Sequence, residues 1–525
     1  MAAFTYPGVY IEELQSGQHT ITGVATSIAA FIGWAPQGPV LEPTLVQSFS
    51  DYQALFGGLS NSASYLSYAV NQFFGNGGTQ AYVVRLFAND NTSPAPTNKA
   101  ATAEGDVSTL HLWASNPGGW GNNIQVVITV SKSDATKFSL VVQLVSGSQT
   151  TTLESYSNLS VSLTDPLYVA TVIDSDSNYI TFLDPSKNPP ALPAAAITMP
   201  SNATAKLGGT TQGLDGDVLD PTDGSGKFES TMDPTSPTTP FKGYKLLEQV
   251  EIFNLLCVPA MSAEAEMATL MGYCAGRRAF YIADAPMLST PSALATSGPV
   301  GNGSTPISSP FLSNAAYYFP WVLAPDPLVG SRPRLFPPSG FVAGIYALTD
   351  ASRGVWKAPA GINAALGGVL GLQYNLTDPQ NGDLNPQAIN CLRQFKVYGD
   401  VVWGSRTLAG NDEAGSQWKY VPIRRLALFL ESSLYYGTQW VVFEPNDETL
   451  WGQVRMNVGA FLQGLFLQGA FAGTSPQKAY FVKCDAENNP PASVALGVVN
   501  ILVGFAPLYP AEFVVIQIQQ IVGQN

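Results

Sequence analysis

The sequence predicts an α+β protein of several domains, and three observations carry that reading. A β-α-β run occupies the middle. Residues 249–258 are an apolar strand pattern. Residues 262–277 place Met267, Leu270, Met271 and Cys274 on one helical face, and 279–285 are a second strand pattern. Short strand-like segments at 110–113, 124–130, 138–145, 154–159 and 179–183, separated by turn residues, predict a small all-β unit. The C-terminal part alternates long helical patterns with β-rich pieces. A chain of 525 residues is long for one core, so about two to four domains are expected.

Taken in order, residues 1–22 read as an extended arm. Val9 and Ile11 alternate with Tyr10 and Glu12, and 15–18 break the pattern. A helix at 62–74 ends in the glycines of 75–78 and leads into a strand at 80–86. The order helix, glycines, strand is the reverse of a phosphate-binding turn, so these glycines read as a helix stop. Residues 88–102 are a linker, and 185–242, rich in Pro, Thr, Ser, Gly and Asp, a long surface loop. Within it Asp215, Asp217, Asp220 and Asp223 lack the spacing and closing Glu of an EF-hand and read as a solvated acidic loop. The GSGK at 224–227 has Pro221 where a Walker loop needs its first glycine, and Phe228 where it needs Ser or Thr. After the β-α-β run come a Ser/Gly/Pro loop at 286–312, a strand at 315–324, and a helix with a compact turn over 337–361.

The C-terminal part starts a helix near Arg424, with Leu426, Phe429, Leu430 and Leu434 on one face and Gly437 as its stop. Residues 439–443 predict a short strand. Asn446 or Asp447 caps the next helix, whose apolar stripe is Trp451, Val454, Val458, Phe461, Leu462 and Leu465. Gln453, Asn457, Gln463 and Gln468 are left for another surface. Beyond Pro510, residues Phe513, Val514, Val515, Ile516 and Ile518 form a strongly β-type tail. Such a strand pairs or aggregates. Its partner is either the chain's own sheet or another chain.

Composition narrows the function. Charged residues are only 12%, against a usual value of about 25%, and there are 49 Gly and 39 Pro. This favours loop-rich domains whose surface is covered by neighbours. The formal charge of −14, without any basic run, argues against nucleic-acid binding. No apolar run reaches the ~18 residues of a membrane span, and MAAFTYPGVY is not expected to be a secretory signal. Export is therefore expected through lysis or particle release. Cys257, Cys274, Cys391 and Cys484 form no CxxC, and the histidines are His19 and His111, so a structural zinc site is not expected. Buried free thiols suit a reducing cytoplasm.

An enzyme is the competing reading, prompted by the β-α-β run. Neither histidine falls in that region, and no G-x-S-x-G elbow exists. Asp284 ends a strand, where open α/β sheets place ligands, and Asp350 is a second carboxylate, but nothing in the sequence brings the two into one cleft, and a capping or turn role for Asp284 is the favoured reading. A capsid or adhesion protein would continue the strand pattern through the chain, whereas here it stops near 185. Arg406 is a candidate for either an intradomain ion pair or an inter-subunit contact. No catalytic, cofactor-binding or metal-binding residue is assigned.

WGSRTL (403–408), the helix with Arg424-Arg425, GTQWVVFEPND (437–447), LWGQVRMNVGAFLQGLFLQGAFAG (450–473) and PLYPAEFVV (507–515) follow one another in an order that closely resembles the C-terminal domain of contractile tail sheath proteins. These belong to myophage tails, R-type pyocins and extracellular contractile injection systems. YPGVYIEEL (6–14) and GVATSIAAFIGWAPQGP (23–39) resemble the family's N-terminus, and 113–128 and 337–361 resemble further sheath segments. The resemblance implies a tail-sheath fold: an arm at 1–22, an α/β domain at 23–95 plus 243–384, a peripheral β-rich insertion at 96–242, a tube-facing core domain at 385–510, and a strand arm at 511–525. It implies hexameric rings stacked helically around an inner tube protein, with baseplate and tail terminator or cap proteins as further partners. It implies contraction that drives the tube through a target envelope, with no cofactor. Assembly would take place in the bacterial cytoplasm, and the product would be a virion tail or a released extracellular particle. The terminal arms, Val9, Tyr10, Ile11 and Glu12 at one end and Phe513, Val514, Val515, Ile516 and Ile518 at the other, would complete sheets of neighbouring subunits. Gln453, Arg455, Asn457, Gln463 and Lys478 are the candidate tube-facing residues, chosen by helical periodicity.

Overall fold

The computed structural model of the chain describes residues 19–60, 64–88, 97–184, 191–192, 196–233, 242–301 and 306–517. The arm residues Val9, Tyr10, Ile11 and Glu12, and Ile518 of the tail, lie outside the described residues. The chain divides into two compact units. One comprises 26–353 and 357–424. The other comprises 354–356 and the chain from 425 onward, together with the segment through Ala25.

The larger unit is built on an eight-stranded sheet. Its order is Gly399–Val402, Ile389–Phe395, Ala315–Phe319, Phe280–Asp284, Leu255–Cys257, Ala29–Trp34, Ala81–Leu86 and Thr44–Val46. The inner neighbours all pair in parallel, and only the two edge strands are antiparallel. Parallel strands are covered on both faces. Accordingly Ala29–Trp34, with the sequence AAFIGW, is buried at every position, as are Phe280–Asp284 and Ala315–Phe319. The crossover helix Glu264–Arg277 buries Met267, Leu270, Met271 and Cys274, the face its spacing predicts. Helices Leu66–Gly75 and Ser339–Arg353 approach closely because glycines face the contact. A Cβ on Gly340 would lie 2.6 Å from the Ala69 carbonyl oxygen, and one on Gly344 2.8 Å from that of Phe73.

Several elements differ from expectation. The strand expected over 249–258 is confined to Leu255–Cys257. A 3₁₀ turn, Gly243–Gln249, and irregular chain precede it. The strand expected over 315–324 is two strands in two sheets. Ala315–Phe319 belongs to the parallel sheet, while Val322–Asp326 lies antiparallel between Arg332–Phe336 and Gly371–Leu372. Apolar content marked both pieces as β, but pairing partners decide where a strand breaks. The domain boundary expected at 385 also moves. Ile389–Phe395 and Gly399–Val402 extend the large sheet, so the chain belongs to this unit through residue 424.

The insertion is mostly β, but not all-β as expected: the helix Val169–Asp176 packs Val169, Ala170 and Ile173 into its core. A four-stranded antiparallel sheet (Ala203–Lys206, Ile124–Val130, Phe138–Ser146, Gln149–Leu159) and a three-stranded one (Glu104–Val107, Leu110–Ala114, Ile180–Thr181) share one core. Ile124, Val126 and Ile128, alternating with half-exposed residues, share that core with Phe138, Leu140 and Val142 of the adjacent strand. The segment 185–242 is not simply a surface loop. It supplies the strand Ala203–Lys206 and the helix Lys227–Met232. Leu219, Phe228 and Met232 belong to the core of the large sheet, so the insertion closes well before residue 242. Its acidic residues are structural. Asp217 accepts from the Thr97 and Asn98 amides at 2.7 and 3.1 Å and pairs with Lys227 at 2.8 Å.

Buried Arg85 fastens the insertion to the sheet. It donates to the carbonyls of Ala35 (2.8 Å), Pro36 (2.9 Å) and Gly38 (2.6 Å) on one side, and of Pro117 (2.8 Å) on the other. Among the described residues no helix is long and apolar enough to cross a membrane.

Candidate assembly interface

The smaller unit is organised by helix pairing. In the helix Val421–Gly437, Leu426 and Leu430 are buried against Trp451, Val454, Val458, Leu462 and Leu465 of the helix Glu448–Leu467. Asp447 caps the second helix, accepting the Leu450 amide at 3.0 Å. The strand expected over 439–443 is instead a 3₁₀ turn, Gln439–Val441, because Trp440 and Val441 fold back onto this core rather than finding a partner strand. A two-stranded antiparallel sheet, Tyr480–Lys483 with Leu502–Phe505, completes the unit and gains no third strand among the described residues.

The end of the N-terminal arm and the residues just after it are pinned here. Ile21 is 6% exposed, His19 stacks on Trp440 at 4.1 Å, and the Val24 amide donates to Ser433 Oγ at 3.2 Å. Gly437 is required at this contact, since a Cβ there would lie 2.5 Å from Ile21. At the other end the chain makes a last isolated bridge at Pro507, and 508–517 join no ladder. Phe513, Val514, Val515 and Ile516 are 75, 80, 81 and 79% exposed. The tail is therefore not an edge strand of the chain's own sheet over the described residues.

The five candidate tube-facing residues do not form one exposed surface. Asn457 is buried at 5% exposure, a correction to its placing. Around the helix it lies on the side of Val454 away from Val458, next to Phe461 at the margin of the apolar stripe, and the fold covers it. Arg455 pairs with Glu448 at 2.6 Å and also donates to the Cys484 carbonyl. Gln463 accepts from the Tyr480 hydroxyl at 2.8 Å, and Gln453 is half-buried. Lys478 is exposed. The outward face of this helix includes Met456 at 46% and Leu467 at 75% exposure, which a polar-residue criterion passes over.

In the larger unit the groups weighed for chemistry have internal roles. Arg406, 1% exposed, pairs with Asp412 at 2.9 Å within its own unit. Asp284, also 1% exposed, accepts from the Ala260 amide at 2.9 Å and from Ser339. Cys257, Cys274 and Cys391, like Cys484 of the smaller unit, are buried free thiols. Burial pushes the Cys391 thiol up to about 12, against the lowering influence of Arg393.

Two family models match the chain consecutively: the phage tail sheath protein central domain over residues 245–408, and the phage tail sheath C-terminal domain over 413–521. Together they cover just over half of it. The chain belongs to the phage tail sheath family. The tail sheath protein of Burkholderia phage BcepMu is 26% identical over 518 residues, spanning 95% of this chain and 93% of that one. Among solved structures, the contracted PVC sheath complex of an extracellular contractile injection system matches with a TM-score of 0.57 at 22% identity, covering 99% of each chain. The sheath tail protein of Listeria innocua matches with a TM-score of 0.59 at 14% identity, covering 93% of this chain and 96% of the other. In this sheath subunit the two matched regions part between 408 and 413. Like the compact units, they separate after the Gly399–Val402 strand rather than before it.

Proposed function

We propose that this sheath subunit assembles as hexameric rings stacked helically around an inner tube, and that contraction of the stack drives the tube through a target cell envelope. The observation that carries the reading is a mismatch among the described residues: an exposed apolar tail at Phe513–Ile516 that joins no ladder, and a sheet of two strands, Tyr480–Lys483 and Leu502–Phe505. A tail donated to the sheet of the next subunit satisfies both, using backbone hydrogen bonds along the strand and alternate side chains for specificity. The N-terminal arm, Val9 to Glu12, would act likewise from a root fixed at Ile21. Such pairing survives rearrangement because the strand stays bound while its link bends. The energy of contraction would be stored in the extended assembly behind a kinetic barrier, without cofactor or catalytic step.

The partners in this reading are further copies of the chain, an inner tube protein, baseplate proteins and a tail terminator or cap. Assembly would take place in the bacterial cytoplasm, and the product would be a virion tail or a released injection particle. Lys478, Gln453, Gln463 and Arg455 are retained as candidates for the tube-facing surface.

Truncation after Pro510 tests the reading. The truncated subunit should melt as the full-length one does, because 511–517 join no strand among the described residues, yet form no ordered sheath by cryo-electron microscopy. Normal contracting sheaths from it would refute tail donation. Inserting three residues between Gln15 and Thr20 adds up to roughly 10 Å of reach. It should permit extended sheaths while slowing or blocking contraction.

A further inference from the structure

The insertion contains a charged cluster that sheath assembly does not explain. Strands Glu104–Val107 and Leu110–Ala114 form a hairpin in which Asp106 lies opposite His111. His111 Nδ1 is 2.6 Å from Asp106 Oδ1, and Nε2 is 2.8 Å from Glu104 Oε1. A carboxylate oxygen only accepts, so both contacts are hydrogen bonds only when both ring nitrogens carry protons. The neutral ring keeps one of the two.

Glu104 is also the residue that holds the chain leaving the insertion. Its carbonyl accepts from the amides of Gly208, Thr210 and Thr211 at 3.0, 3.1 and 3.3 Å, and its own amide donates to the Thr211 carbonyl at 2.9 Å. Thr211 Oγ1 donates to Glu104 Oε2 at 2.6 Å. One carboxylate thus meets the imidazole through Oε1 and Thr211 through Oε2.

We propose that Glu104, His111 and Asp106 form a pH-operated clasp, which locks residues 208–211 onto the first hairpin of the insertion while the imidazole is doubly protonated and loosens when the ring loses a proton. The charged groups acting on the ring are Asp106 and Glu104, both on the partner strand. Its own strand supplies Trp113, whose ring meets it edge-on at 4.4 Å. The next strand places uncharged Thr181 opposite Trp113, and Lys206, on the strand Ala203–Lys206, is exposed. Burial opposes the second proton, but the bonds and charges of Asp106 and Glu104 outweigh it, so the pKa of His111 stands above the ordinary histidine value. A base raised on folding contributes stability that is full below its unfolded pKa of about 6.5 and is lost as pH rises through the folded value. The clasp is therefore closed below the ordinary histidine range and opens as pH rises through the raised folded value.

The test is an imidazole titration of the full-length chain labelled with ¹⁵N-histidine, in which an H19Q variant assigns the two rings. His111 should titrate above about 6.5. Amide exchange at 208, 210 and 211, corrected for its intrinsic pH dependence, should rise severalfold across the same titration. His111→Gln should remove that step, and Glu104→Gln should lower the His111 midpoint. Titration at or below the ordinary value overturns the proposal. So does a raised midpoint with pH-independent exchange, which would mark a static ion pair. If His111→Gln fails to fold, the wild-type titration and Glu104→Gln still decide.

Discussion

Asp284 and Ser339 are joined by two hydrogen bonds of 2.7 Å across 55 residues of chain. The Ser339 amide donates to Oδ1 and its hydroxyl to Oδ2. The carboxyl at the end of the strand Phe280–Asp284 thus holds the first residue of the helix Ser339–Arg353. The same Oδ2 accepts the Ala260 amide, whose residue has a left-handed φ of 65°. A carboxylate at a strand end in an open α/β sheet is where ligand chemistry is usually sought. Here its oxygens are spent on the fold.

This relationship predicts a pH effect. Burial raises the Asp284 pKa to about 7, against the lowering effect of the Ala260 and Ser339 hydrogen bonds. An acid whose pKa rises on folding contributes stability that is full below its unfolded value of about 3.9 and is lost as pH rises through the folded value. The wild-type denaturation midpoint should therefore decline between pH 5 and pH 8 more than that of Asp284→Asn. Asp284→Ala, which also orphans the Ser339 and Ala260 amides, should cost about 1–3 kcal/mol. Equal slopes in wild type and Asp284→Asn would contradict the first expectation.

Arg85 predicts a larger loss. Arg85→Ala leaves the carbonyls of Ala35, Pro36, Gly38 and Pro117 without this donor. Destabilisation of roughly 3 kcal/mol or more is expected in urea. Arg85→Lys should recover little, because a single ammonium cannot reproduce the planar fork that reaches both sides.

The insertion boundary can be tested by excision. Ala101 and Leu214 are bridged, so the ends of 102–213 lie side by side. Replacing that segment with a short Gly-Ser linker should leave a cooperatively folding chain, weakened by loss of the Arg85–Pro117 bond. Excising 100–240 should unfold it, because Leu219, Phe228 and Met232 leave the core of the large sheet. Equal melting temperatures for the two deletions would show that 214–240 contributes nothing.

Arg455 and Lys478 should separate under charge reversal. Lys478→Glu should leave thermal melting unchanged and reduce co-assembly with the tube. Arg455→Glu should lower the melting temperature as well, because its guanidinium holds Glu448 and the Cys484 carbonyl. Undiminished co-assembly with Lys478→Glu would remove this surface from the tube interface.

What the sequence determined by itself is local and periodic. Stripes such as Trp451, Val454, Val458 and Leu462 specify a helix and its buried face, because burial of apolar side chains follows the 3.6-residue repeat whatever lies opposite. The alternation of Ile124, Val126 and Ile128 does the same for a strand, and the ordered motifs at both ends placed the chain in its family. Tertiary structure alone decided the pairings. That 439–443 turns rather than extends, that 315–324 divides between two sheets, and that 385–424 joins the large unit depend on which strand is available as a partner, and backbone hydrogen bonds to a distant segment leave no mark in local spacing. The candidate site divides along the same line. The β character of Phe513–Ile516 was legible, but its lack of a partner strand among the described residues was not. The burial of Asn457 and the internal bonds of Arg455 were equally illegible, because a residue at the margin of a helical stripe is exposed or covered according to what packs beside it.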